Sequence, residues 1–78
     1  QPIDETISEL IERWARAKLA GADVSGDLYE QLLKLVEPSF LKAAIEKHQG
    51  QYSSAARQLG LHRTTLRKKL DEYGLSSS

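Results

Sequence analysis

Between positions 47 and 70 this chain carries six cations and no acid: Lys47, Arg57, Arg63, Arg67, Lys68 and Lys69. Leucines and alanines are threaded among them at helical spacing, and Gly60 divides the stretch into two short segments. Such a stretch has few ways to fold. Its leucines must be buried while its cations stay in water, and a helix with one apolar and one cationic face meets both demands. Positions 1–46 hold nine acids against five bases, and Asp71 and Glu72 return the formal net charge to zero. A neutral chain that gathers its positive charge on one element is suited to a polyanionic partner, more so than to an ordinary solvated face.

The chain's length limits its core. Seventy-eight residues form one small domain, and a domain of this size buries only about 60% of its unfolded surface. There is no cysteine, so neither a disulfide framework nor a thiolate metal site adds stability. Packing against a second copy is the remaining common route, and a dimer is expected. No apolar run approaches the roughly 18 residues of a membrane span, and nothing resembles a signal peptide, so the expected location is cytoplasmic. The start at Gln1-Pro2 and the lack of methionine read as a piece of a longer protein. Ser76-Ser77-Ser78 reads as a frayed tail.

Without a β-branched alternating run, the expected fold class is all-α. A first helix is predicted from about Asp4, as N-cap, to Ala20, ended by Gly21. Ile3, Ile7, Leu10, Ile11 and Trp14 form its apolar stripe. The linker Ala22 to Gly26 holds Asp23, Ser25 and Gly26 as turn-formers. A second helix is predicted from near Asp27, with Glu30 completing a capping-box-like pair. Its stripe is Leu28, Leu32, Leu35 and Val36, resuming at Phe40, Leu41, Ala44 and Ile45. Pro38 falls inside this pattern and predicts a kink or break, while Gly50 closes the segment. Two short helices follow, near Tyr52–Leu59 and near Arg63–Tyr73, the latter ending at Gly74 with Leu75 available for a capping contact.

Those last two helices meet the demands of a helix-turn-helix. Ala56 supplies a small residue at a steep helix crossing, and Gly60 adopts a left-handed turn without steric cost. Leu66, Leu70 and Tyr73 project within an arc of about 60° at roughly 100° per residue. Thr64, Arg67 and Lys68 point away from that arc, with Arg63 at its margin, as a DNA recognition helix requires. Arginine presents two donors to a guanine edge, so Arg63 and Arg67 are the candidates for base reading. His62, at the helix start, suits a base or a phosphate. Thr64, Thr65, Lys68 and Lys69 suit phosphates, as do the helix-start N–H groups near Gln51, Tyr52 and Ser53.

Taken whole, GQYSSAARQLGLHRTTLRKKLDEYGL resembles the C-terminal helix-turn-helix of the Fis/NtrC family. DVSGDLYEQLLKLVEPSFLKAAIEKHQG is similar to that family's long second helix, including its internal proline. SELIERWARAKLAG is similar to the helix that precedes the DNA-binding region of NtrC-type nitrogen regulators. The resemblance spans about Ser8 to Leu75 and implies a homodimer of four-helix subunits, in which the first two helices pair and the last two bind double-stranded DNA. By position it carries DNA contact to His62, Arg63, Thr65, Arg67 and Lys68, and backbone contact to Gln51 and Ser53. Ile7, Leu10, Ile11, Trp14, Leu28, Leu32 and Leu35 fall on the implied dimer interface. Two roles follow, in this order of expectation. The first is the DNA-binding module of a sigma-54-dependent activator, carried after a receiver domain and an ATPase, outside this chain, that remodels sigma-54 RNA polymerase. The other is a freestanding, DNA-bending nucleoid protein like Fis, which the RKK run at 67–69 resembles more closely. His62 departs from relatives, where asparagine or a small residue is common.

The other chemistry-bearing residues have structural readings. Trp14 on an apolar stripe belongs to a core or an interface. His48 and His62 lie far apart with no cysteine partners, so no metal or other cofactor is expected. No nucleophile is paired with a base, and no catalysis is expected. Glu5, Glu9, Glu12, Arg13 and Arg16 suit solvated pairs along the first helix.

Overall fold

The computed structural model describes residues 2–21 and 26–76. The turn-formers Asp23 and Ser25, and the last two serines of the tail, lie outside the described residues. Among the described residues the chain forms four helices and no strand: α1 (Pro2–Ala20), α2 (Leu28–Lys47), α3 (Tyr52–Leu59) and α4 (Arg63–Glu72). The radius of gyration is 15.0 Å, against about 11.5 Å for a compact chain of this length. An elongated molecule has fewer residues that it can bury by itself.

Helix α1 starts two residues before the sequence suggests. Pro2 occupies its first position, where a missing N–H costs nothing, so Asp4 is a first-turn acid and not the N-cap. Of the exposed pairs expected along this helix, Glu12–Arg16 forms at 3.9 Å, while among the described residues Glu9 and Arg13 make no ion pair. None of its residues is buried.

Asp27 is the N-cap residue of α2, but the capping-box expectation fails. Its side chain makes no cap hydrogen bond, and its Oδ1 instead accepts from Gln31 Nε2 at 2.7 Å. A carboxylate held one turn along the helix surface is drawn away from the first-turn N–H groups. Of the kink or break expected at Pro38, the break is absent, for α2 runs unbroken from Leu28 to Lys47. Proline removes one N–H from the ladder, and the remaining turns on either side keep theirs.

The core lies among the last three helices. Leu41 of α2, Ala55 and Ala56 of α3, and Leu66 and Leu70 of α4 are all at most 2% exposed. Ile45, Tyr52, Leu59, Leu61, Tyr73 and Leu75 pack around them. Two adjacent alanines let α3 approach both neighbours closely, so Ala55 shares the contact assigned to Ala56. Gly60, at φ 77°, turns the chain from α3 into α4. α4 ends at Glu72, one residue short of the predicted end, because Tyr73 already carries cap geometry.

Candidate nucleic-acid interface

Leu66 and Leu70 are fully buried, and this fixes which way α4 faces. Thr64, Arg67 and Lys68 are then exposed away from the core, with Arg63 and Thr65 exposed at the margins, together with His62 at the N-cap. Among the described residues Arg57, Arg63, Arg67 and Lys68 have no acidic partner; the ion pairs there are Glu12–Arg16 and Glu37–Lys69. Unpaired cations on a rigid face make a concentrated positive field.

The helix starts add to it. His62 (φ −71°, ψ 143°) and Gln51 (φ −84°, ψ 102°) are extended N-cap residues whose side chains do not cap their helices. Neither α3 nor α4 carries an acid in its first turn. Both positive dipole ends are left for an external anion, the arrangement by which helix N-termini hold phosphates. Gln51 and Ser53 are exposed beside the α3 start, while the Ser54 hydroxyl donates to the Gln51 carbonyl at 3.2 Å.

Lys69 stands apart from the other cations. Its Nζ lies 3.2 Å from Oε2 of Glu37, and the pair is partly buried, with side chains 33% and 22% exposed. The Tyr73 hydroxyl donates to Oε1 of the same carboxylate at 2.5 Å. The hydrogen bond from Tyr73 holds the Glu37 carboxyl below its ordinary range against the opposing effect of burial, with Lys69 helping. The same bond pushes the Tyr73 phenol up to about 12. Lys69 is thereby turned toward α2. Glu37 carried no signal in the sequence, because its partners are 32 and 36 residues away.

A second surface lies at the other end of the chain. Ile7, Leu10, Ile11 and Trp14 of α1 face Leu32, Leu35 and Val36 of α2 across an apolar groove of about 310 Å³. Six of the seven expected interface residues are brought together there; Leu28 is half-buried and lies off the lining, and Val36 joins it. Leu10, Ile7 and Leu35 are each more than half exposed. His48 is occupied differently, its Nε2 lying 2.6 Å from Gln58 Oε1. Among the described residues no group of three or more His, Asp or Glu is placed to hold a metal ion, and no helix is long and apolar enough to cross a membrane.

Comparison with known proteins agrees with this layout. The sequence pattern of the family described as bacterial regulatory protein, Fis family, matches residues 32–73. A Fis-like DNA-binding protein of Xylella fastidiosa is 43% identical over 74 residues, covering 95% of this chain and 80% of the relative. The DNA-binding protein Fis of Yersinia enterocolitica is 37% identical over 76 residues, covering 97% of this chain and 76% of its own length.

Proposed function

The chain belongs to the Fis family of bacterial regulatory proteins, and on that premise we propose that it binds double-stranded DNA as a homodimer in the manner of Fis. One observation carries the reading: burial of Leu66 and Leu70 turns an acid-free, unpaired set of cations outward on a single helix. Arg63 and Arg67 read base edges in the major groove. His62, Thr64, Thr65 and Lys68 hold the backbone, and the start of α3 at Gln51 and Ser53 takes a further phosphate.

The dimer reading draws on the apolar groove. A 19-residue helix with no buried residue gains little stability from its own hydrogen bonds, and an apolar face on it needs a cover. A second copy of α1 and α2 supplies a surface of matching chemistry. Two recognition helices related by a two-fold axis then enter successive major grooves of a pseudo-palindromic site, with the DNA bent to meet both.

Of the two roles the family resemblance implies, the activator expected first has the weaker support and the Fis-like alternative the stronger. The relatives are named as Fis or Fis-like DNA-binding proteins, and this chain spans about four fifths of their length. The activator role rests on the likeness of residues 8–21 to nitrogen regulators; a P-loop ATPase encoded upstream of Gln1 would restore it.

The test is selection of the purified chain against random duplexes, followed by titration of the selected duplex at several salt concentrations. The expected result is a two-fold-symmetric consensus and an affinity that falls linearly on a log–log salt plot, with each neutralised phosphate adding roughly 0.9 to the slope. Binding that ignores ionic strength, or no binding at low salt, sinks the reading. Sedimentation of the free protein should give a dimer, and Leu10→Asp should give a monomer.

A further inference from the structure

Helix α4 is attached to the rest of the chain in two chemically different ways. Leu66 and Leu70 pack into the core, an attraction that sets which face of α4 is buried but has no direction of its own, so small changes of roll cost less than a broken hydrogen bond. Lys69 in the last turn of α4 and Tyr73 at its C-cap both reach the carboxylate of Glu37 on α2, at 3.2 and 2.5 Å. Hydrogen bonds of this kind weaken steeply when bent, and those to a charged acceptor are shorter and stronger than neutral ones. Two donors on two oxygens of one carboxylate therefore add a directional restraint on the fine roll and tilt of α4, beyond the facing that the leucines set. Glu37 also directly follows Val36, which lines the apolar groove with Leu32 and Leu35. One turn of α2 thus joins the surface proposed to pair two copies to the residue that holds the reading helix.

We propose that Glu37, Lys69 and Tyr73 act as a positioning clamp that transmits the dimer geometry to α4 and so sets the separation of half-sites this protein accepts. The inference rests on the dimeric DNA-binding reading above. Roll of α4 about its axis changes where Arg63 and Arg67 point, and tilt changes the distance between the two copies of each. Changing the half-site separation by one base pair rotates one half-site by about 34° relative to the other. A clamped dimer refuses that rotation and a loosened one follows it. The clamp also gives one lysine of the RKK run a partner within the protein.

The experiment is selection of the full chain and its Tyr73→Phe variant from duplexes carrying two half-sites at varied separation. Tyr73→Phe keeps the ring in the core and changes no charge, so it removes the directional bond without altering the protein's field. The wild type should favour one separation over its neighbours by about tenfold, within the range expected for one altered position in a site. The variant should retain the same half-site letters while accepting two or three adjacent separations nearly equally. Glu37→Gln serves as the second variant, since it keeps side-chain shape and loosens the hold on Lys69; it should broaden the separation in the same way. Circular dichroism melts establish that each variant is folded at the binding temperature. A single sharp separation in both folded variants overturns the clamp and leaves the dimeric reading intact. A wild-type selection without paired half-sites overturns the dimeric reading, and the clamp with it.

Discussion

The backbone N–H of Leu61 reaches back across Gly60 to the carbonyl of Ala56, at 2.9 Å, and in doing so ends α3 and aims α4. The Gly60 N–H donates to Arg57 at 3.3 Å inside the same ring. This paired closure needs a left-handed residue at its centre, and Gly60 supplies φ 77°. The ring is used twice more. Leu75 donates to Leu70 at 2.8 Å across Gly74, and Gly50 donates to Ile45 at 3.0 Å across Gln49.

Gly60→Ala should destabilise the protein for a purely backbone reason. A Cβ added there would meet no atom within 4 Å, so crowding contributes nothing. The left-handed conformation itself costs an L-residue about 1–2 kcal/mol, and a domain of this size loses roughly 4–8 °C of Tm per kcal/mol. Thermal melts of the two proteins check this. An unchanged Tm would mean that the turn can relax out of the left-handed region.

Gln49→Gly should act in the opposite direction. Gln49 is the one non-glycine residue among those described with positive φ, at 54°, and it holds the position that glycine occupies at the ends of α3 and α4. Relief of its backbone strain is partly offset by the greater freedom of an unfolded glycine, leaving a net gain of about 0.5 kcal/mol. The measurement is the urea midpoint at constant m-value, and a lower midpoint for the variant refutes the strain argument.

The contrast between Gly60 and Gln49 also marks what could be read in the sequence. Gly60, Gly74, the alanines of α3 and the Leu66/Leu70 face declare themselves within one or two helical turns, so α3, α4 and their cationic surface are legible without coordinates. Gln49 is not legible, because its conformation is imposed by the chain reversal after α2 and not by its own preference. Asp27 illustrates a competition: Glu30 three residues on suggests a capping box, but Gln31 takes the carboxylate at 2.7 Å. Pro38 does not end its helix, for Leu41 lies beyond it in the core shared with α3 and α4 and keeps the helix going. The Glu37 cluster is the least visible of all, since no short-range pattern links position 37 to positions 69 and 73.

The Glu37–Tyr73 bond should make stability depend on pH at both extremes. Glu37 titrates below its ordinary 4.5 in the folded protein, chiefly because Tyr73 donates to its charged form. Its contribution is therefore present above that ordinary value and is lost as pH falls through the lowered one. Tyr73 titrates at about 12 in place of its ordinary 10.0, chiefly because of the same hydrogen bond. Its contribution is complete below 10.0 and disappears as pH rises toward 12. Urea midpoints of wild type and Tyr73→Phe should thus differ by a constant amount across neutral pH and converge in acid and in strong alkali. Curves that stay parallel into strong alkali would assign the difference to packing of the ring.

Arg67, Lys68 and Lys69 are consecutive cations with three different expected effects on DNA binding, and their comparison separates base reading, phosphate contact and structural pairing. Arg67→Ala removes a bidentate donor and should cost about 1–3 kcal/mol on the selected duplex while relaxing preference at one base pair. Lys68→Ala removes a phosphate contact, so affinity should fall alike on selected and scrambled duplexes and the salt slope should drop by about 0.9. Lys69 is held 3.2 Å from Glu37; if that pair persists on DNA it neutralises no phosphate and releases no counterion, so Lys69→Ala should leave the slope unchanged. Fluorescence anisotropy at four or more salt concentrations on both duplexes measures all three. Equal loss of slope for Lys68→Ala and Lys69→Ala would show that Lys69 leaves Glu37 when DNA arrives; an Arg67→Ala protein with unaltered sequence preference would move base reading to Arg63 or His62.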